Sequence, residues 1–441
     1  MMNVMTAGSS SFARTILLAG LFLGACGPRA VEAGVFDVRE YGAKGDGITL
    51  DTVPIQRAID AATAAGGGTV ELPAGTYLSG TVWLKSNVDF HLAAGATLLG
   101  STNRLDYNRR DAYPQNGGSV YECSDAGAHL VLCVEQRNVT VRGPGRIDGN
   151  GAKITLDANG MRYPRNARTY TGLDWRPSQM LCFVESEDVR VTDVALENST
   201  YWTCFVHGCS RVQIRGVRIK NHPYVWNGDG IDLDCSQYVT ISDCLIDSAD
   251  DGITLRGVGS RLKRPQDMAY VTVANCVIRT RMCNAIRIGV GDRDIHDAVF
   301  SNLVIEDSRT GVMIGNGYSN PKNRVTVNGT GVWNVGFSNI QVVHARELAL
   351  VLAQYSGGAT THDIMFSNVR ATVDQASRIR GNAAFPFSNI TFRDVFEPKG
   401  VEAVNVNGLS IDGGTFRSQP LTDEERQRIS DDVTNYRNII W

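Results

Sequence analysis

Asn227–Arg256 reads NGDGIDLDCSQYVTISDCLIDSADDGITLR. Two acidic turns stand in it, each just ahead of a short alternating apolar run: Asp229 before Ile231 and Leu233, Asp250-Asp251 before Ile253 and Leu255. Asp229 and Asp250 are 21 residues apart, and solenoid folds repeat at about 20–50 residues. On that reading the acids occupy neighbouring coils, whose strands are about 4.8 Å apart. Ile231 and Leu233 share one parity and face the core, so Asp232 and Asp234 face out. Asp229 lies between Gly228 and Gly230, where the backbone is free to turn. A regular strand running through Asp250-Asp251-Gly252 into Ile253 would drive Asp251 inward. Burying an unpaired carboxylate is costly, so a turn or bulge at Gly252 must break the register.

The same phrase recurs on both sides of this stretch. A polar corner and an alternating strand appear at Asn138-Val-Thr-Val, Asp188-Val-Arg-Val, Arg211-Val-Gln-Ile, Tyr238-Val-Thr-Ile and Tyr270-Val-Thr-Val, then at Phe337-Ser-Asn-Ile, Phe366-Ser-Asn-Val and Phe387-Ser-Asn-Ile. The valines at 189, 212, 239, 271 and 299 are spaced by 23, 27, 32 and 28 residues. Constant strands joined by corners of variable length are what a β-helix requires; a β-sandwich would not repeat one phrase at rising positions. The fold class is all-β, a single-stranded right-handed parallel β-helix over 36–415. Val53–Ala65 has helical spacing, with Ile55, Ala58, Ile59 and Ala62 on one stripe and Gly66-Gly67-Gly68 ending it. It suits a cap on the first coil. Leu421–Trp441 is charged and helical in character, a tail on the outside.

At 43% hydrophobic and 20% charged residues, with a net charge of −3, the 441-residue chain has the balance of neither a nucleic-acid binder nor a membrane-surface protein. Its N-terminus reads as an export signal: Arg14, an apolar run Ile16–Leu23, then Leu23-Gly24-Ala25-Cys26. That tetrapeptide resembles a bacterial lipobox, which implies lipidation of Cys26; a plain secretory signal is the alternative. Gly27 after the cysteine leans towards the outer membrane or periplasm of a Gram-negative cell. Nine further cysteines are present. Cys244 and Cys276 occupy matching places and read as stacked small residues inside the solenoid, and Cys204 with Cys209 is the best disulfide pair.

Carboxylates gathered over a groove are what glycosidic hydrolysis uses. Here the residues carry a resemblance. Asn227-Gly-Asp-Gly-Ile-Asp232 followed by Asp250-Asp251 is similar to the Asn-Thr-Asp-Gly-(Ile/Phe)-Asp and Asp-Asp pair of glycoside hydrolase family 28, the polygalacturonase-like β-helix enzymes. Similarity through Phe36–Gly100, carried on to Ser101 by LKSNVDFHLAAGATLLGS, with VTVRGPGRIDGNG at Val139–Gly151 and NSTYWT at Asn198–Thr203, extends it over most of 36–320. The resemblance implies an inverting hydrolase in which Asp250 is the general acid and Asp229 and Asp251 together are the base, with acid and base carboxyls roughly 6.5–9.5 Å apart.

Departures from that pattern bear on the substrate. Where the family has Gly-His-Gly ahead of Ser-Ile-Gly, this chain has Cys283-Asn284-Ala285-Ile286-Arg287-Ile288-Gly289; where it has Arg-Ile-Lys, this chain has Met313-Ile314-Gly315. The histidine and both uronate-binding cations are therefore missing from their usual places. Eight basic residues against three acids between Gly252 and Asp294 offer replacements. Guanidinium groups grip carboxylates through paired hydrogen bonds, which nominates Arg256 and Arg287 for substrate binding together with Asn227 and Asn284. His207 and His222 are alternatives for the lost histidine, and Tyr201, Trp202 and Trp226 for sugar stacking. The Arg- and Tyr-rich loops Arg104–Gly127 and Asn159–Trp175 suit a wall closing one end of the cleft. The expected activity is exo-cleavage of a pectin-like, uronate-containing glycan by a monomer with no cofactor, no nucleic-acid partner and membrane contact only through its lipid. The rival readings are a β-helix polysaccharide lyase, which would release an unsaturated product, and a non-catalytic glycan-binding β-helix.

Overall fold

Each coil turns on a residue that tolerates the left-handed backbone region. Asp188, Arg211, Tyr238, Tyr270 and Asp297 have φ of 55°, 55°, 58°, 59° and 54°, and each is followed by an inward side chain: Val189, Val212, Val239, Val271 and Ala298, which pair in register from coil to coil. The last of these corrects the sequence spacing. Val299 pairs with Thr272 and is 48% exposed, while Ala298 takes the core position. The corner, not the valine, is the repeating element.

The structure is a computed structural model that describes residues 34–116, 127–155, 176–280, 283–316, 318–320, 325–327, 329–353 and 359–434. The export signal and Cys26, the Asn159–Trp175 loop, most of 117–127, Arg281 and Cys123 lie outside the described residues. Strands from Gly34–Asp37 to Val406–Asp412 join by parallel pairing into one continuous array, the wall of a right-handed parallel β-helix. The expected helix is Thr52–Ala64, with Ile55, Ala58, Ile59 and Ala62 fully buried. It holds the first coil by exchanging hydrogen bonds between the Gln56 amide and the Trp83 backbone. Asp423–Thr434 is helical and is tied to the last coils by Arg426 to the Ala403 carbonyl and Asn405 to Ser430.

The core is a set of ladders. Phe300, Phe337, Phe366, Phe392 and Phe416 stack at centroid distances of 5.1, 4.7, 4.9 and 4.6 Å. Outside, the corner amides of Asn368, Asn339, Asn302 and Asn275 donate one to the next at 2.7, 3.2 and 3.3 Å. At Phe300, Phe337 and Phe366 the Phe-Ser-Asn phrase is thus one inward aromatic and one outward amide rung per coil. The Phe387 phrase does not continue it: Ser388 pairs with His362, Asn389 donates to Asp363, and Phe392 takes the aromatic rung. Cys244 and Cys276 stack as expected, one coil apart, each thiol donating to the backbone carbonyl two residues before it at 3.2 Å. The Cys204–Cys209 pairing is not formed; both thiols are free and buried. Cys204 opens the strand Cys204–His207 and Cys209 follows its end, so at about 3.3 Å per residue they lie well beyond the ~7 Å that a disulfide spans between Cα atoms.

Candidate active site

Six strands form the face that carries the acids: β1 (Val131–Val134), β2 (Leu181–Val184), β3 (Cys204–His207), β4 (Ile231–Asp234), β5 (Ile253–Gly257) and β6 (Asn284–Gly291). Their outward column reads Leu132, Cys182, Phe205, Asp232, Thr254, Arg287, then Met313 and Leu350 in the following coils. It is apolar, turns polar for three coils, and becomes apolar again. On the β1–β3 side Tyr113, Tyr201 and Trp202 pack over the column, while beyond β6 Met313, Leu350 and Leu352 form a second buried cluster. The polar segment is a short stretch of floor between two covered flanks.

Ile231 pairs with Ile253, so β4 and β5 repeat at 22 residues, and continuing that register brings Asp251, rather than Asp250, level with Asp229. The expected break in register is a bend before β5, and glycine permits it. A Cβ on Gly230 would lie 2.3 Å from the Gly252 carbonyl, and one on Gly252 would lie 2.5 Å from the Ala285 carbonyl. With the three backbones this close, Gly230 N–H donates to Asp251 O and Gly252 N–H to Asn284 O, both at 2.9 Å. Asp251 accordingly avoids the apolar core. Its Oδ1 accepts from Asn284 N–H at 3.0 Å and Asn284 Nδ2 at 2.6 Å, and its Oδ2 from Arg287 Nη1 at 3.1 Å.

The expected separation of roughly 6.5–9.5 Å between acid and base does not hold for Asp250 and Asp251: as neighbours on one bend they bring carboxylate oxygens within 4.8 Å of each other. The other acids are less well satisfied. Asp229 is 5% exposed and its Oδ1 has no hydrogen-bond partner. Burial, then the charges of Asp250, Asp232 and Asp251, hold its proton affinity well above the usual carboxylate range. Asp250 is also pushed up, by burial and by Asp251, against a hydrogen bond from the Cys283 thiol; it alone of the three remains partly open to solvent. Asp232 faces out as parity requires, yet it is fully covered, and burial raises it to about 7 against the pull of the Thr254 hydroxyl and Arg256. That Thr254 Oγ1 donates to Asp232 Oδ1 at 2.6 Å.

A carboxyl whose folded-state pKa lies above its unfolded one binds its proton more tightly when folded, so its stabilisation falls as pH rises between the two values. For Asp232 the window runs from about 4 to about 7. Asp232→Asn is expected to flatten the decline in Tm across that window and to stabilise the protein by about 1–3 kcal/mol at pH 7. Calorimetric melts from pH 4 to 7.5 check this; an unchanged slope contradicts it.

The structure brings Asn284 and Arg287 onto the acids and engages the other two nominated residues with protein partners. Asn227, in the left-handed region at φ 55°, accepts from Arg176 Nη2 at 3.0 Å. Arg256 sits 3.4 Å from Asp234 with its guanidinium 4.5 Å above the Trp202 ring. Trp202 is therefore packing, not a sugar platform. His207 bonds the Val258 carbonyl at 2.9 Å, and His222 Nδ1 accepts from Tyr224 N–H at 3.3 Å; the place of the absent histidine is filled by Asn284. Lys263, Arg264 and Arg279 pair with Glu135, Glu185 and Glu306. Sequence reasoning missed Arg176, which bonds the Trp226 and Thr200 carbonyls at 2.8 and 3.3 Å and so fixes the turn into Asp229. It acts 50 residues from its own position, and no local pattern marks it.

Asp229, Asp232 and Asp251, all buried, and the partly open Asp250 thus form one acidic site on the wall of a parallel β-helix. The sequence profile of glycosyl hydrolases family 28 matches residues 68–410, and the chain belongs to that family. It is 29% identical over 282 residues to an exo-poly-alpha-D-galacturonosidase of Dickeya chrysanthemi, covering 54% of this chain and 45% of that protein. Over 345 residues it is 25% identical to an exopolygalacturonase of Zea mays, covering 70% and 76%. The family 28 exopolygalacturonase structure from Yersinia enterocolitica shares the fold, with a TM-score of 0.69 at 24% identity over 88% of this chain and 79% of that one. The chain spans about half the length of the first curated relatives it matches, 45% of the Dickeya protein and 47% of a probable polygalacturonase of Vitis vinifera.

Proposed function

We propose that the protein is an inverting O-glycoside hydrolase that removes units from the end of a pectin-like, uronate-containing glycan. The observation that carries the chemistry is the inequality among three adjacent acids: Asp229 and Asp250 hold a proton more tightly than free carboxylates, while three N–H donors converge on Asp251. One proton shared by Asp229 and Asp250 relieves their repulsion. On Asp250, the acid nearest solvent, it faces the leaving glycosidic oxygen. Water, held by Asp251 and by the unused lone pairs of Asp229 Oδ1, attacks the anomeric carbon from the opposite side. The C–O bond breaks, Asp250 gives its proton to the departing oxygen, and the base pair takes one from water.

Chain-end cleavage is supported by the two covered flanks, which leave little floor for a through-running polymer, and by the exo-activities for which the Dickeya and Zea relatives are named. The uronate is supported by those relatives alone. Export as a lipid-anchored protein through Cys26, and function as a monomer, are part of the proposal and rest on the residue pattern. The test is digestion of oligogalacturonides followed by NMR of the first product: a released monosaccharide or disaccharide with inverted anomeric configuration is expected. A product with a C4–C5 double bond, absorbing in the ultraviolet, would assign a lyase instead.

A further inference from the structure

We propose that Asn284 and Arg287 are positioning residues, a two-sided clamp that orients the Asp251 carboxylate; this rests on the hydrolase reading above. Each side of the clamp takes one oxygen. Asn284 supplies its backbone N–H and its amide to Oδ1, and Arg287 supplies Nη1 to Oδ2. Asp251 is 1% exposed, so protein donors replace the water a carboxylate would otherwise require. Both residues belong to β6, whose Ile286 and Ile288 are buried in the core. Core packing thereby fixes the Cα positions of the clamp, and Ala285, over which Gly252 closes, fixes its distance from the Asp250-Asp251 bend.

The charge balance points the same way. The groups facing Asp251 are the acids Asp250, Asp229 and Asp232, the Cys283 thiol beside Asp250, and the cations Arg287 and Arg256. Arg256 is committed to Asp234 and Trp202. Among the described residues Arg287 is the cation in contact with the acid cluster, and like charges this close cannot all stay ionised without one. A guanidinium does not titrate in the working range of a carboxylate pair, so a clamp built on Arg287 keeps its charge across the whole pH profile, which a histidine partner would not. A nitrogen already bonded to Asp251 at 3.1 Å serves the reacting acid first, which separates this role from simple capture of a substrate carboxylate.

The test uses full-length protein and an oligogalacturonide. Arg287→Gln is expected to lower kcat by about 100-fold with KM within about threefold, and Arg287→Lys to restore part of the loss. An unchanged kcat with a raised KM overturns the proposal and makes Arg287 a substrate contact. A crystal structure of Arg287→Gln reads the clamp without turnover: an Asp251 carboxylate turned away from its contacts with Asn284 is expected, and an unchanged orientation overturns the proposal. If Arg287→Gln does not fold, Asn284→Ala carries both measurements, with a smaller loss of kcat expected and no loss overturning it. A turned carboxylate in a protein whose wild type releases no sugar would support the clamp while overturning the hydrolase reading.

Discussion

Asp250→Asn is expected to lower turnover of an oligogalacturonide by roughly 10²–10⁴-fold, the usual contribution of a positioned general acid. The amide has the shape of the carboxyl but no proton to give. It should leave the site intact, because the Asp251 N–H that donates to Asp250 Oδ1 at 3.1 Å can donate equally to an amide oxygen. Removing one of several adjacent negative charges should not weaken the fold. The measurement is kcat together with calorimetric binding of a substrate fragment and a melting curve, with affinity and Tm preserved. A second substrate separates chemistry from placement. An aryl glycoside whose phenolate departs without protonation needs no general acid for bond cleavage and should lose far less activity. Equal losses on both substrates, or a loss under tenfold on the natural linkage, would remove Asp250 from the acid role.

Gly252→Ala is expected to damage the same site from the backbone. The added methyl would lie 2.5 Å from the Ala285 carbonyl and 2.6 Å from Ile278 Cγ2, so neighbouring coils must separate. Overpacking of this kind costs about 1–3 kcal/mol. The displacement falls between Asp251 and β5, directly on the hydrogen bonds to Asn284, and a shift of ~1 Å in a catalytic group can cost about 100-fold in rate. Denaturant melts and kcat measured on one preparation check both. A variant that loses stability and keeps full kcat would show that the bend is structural only.

The fold was legible because a solenoid writes itself many times. Asn138, Asp188, Arg211, Tyr238 and Tyr270 each mark a corner with a following valine, and repetition makes one ambiguous phrase decisive. The misplacement at Val299 came from counting the valine in place of the left-handed corner residue. Asp229, Asp250 and Asp251 stood out because glycine-flanked acids beside core strands are expensive unless used. The partners were harder to read. Arg287 and Asn284 were nominated as substrate contacts, yet the structure turns both onto Asp251. Arg256 looked free in sequence and is spent on Asp234. Arg176 reaches across two coils, a distance only the folded stack defines. Pairing choices of this kind depend on the rotation of long side chains over the sheet face, which strand periodicity leaves open.

The corner residues have a consequence for how such a chain can change. The backbone reverses at Asp188, Arg211, Tyr238, Tyr270 and Asp297 whatever the length of the connection elsewhere in the coil; one coil carries the 257–267 excursion and its neighbours do not. Insertions can therefore accumulate in a single connection without disturbing the rungs on either side. Asp229, Asp250 and Asp251 lie in the short bends just ahead of β4 and β5, at the opposite end of β5 from the 257–267 excursion. A connection can therefore lengthen or shorten while the acid cluster stays where it is.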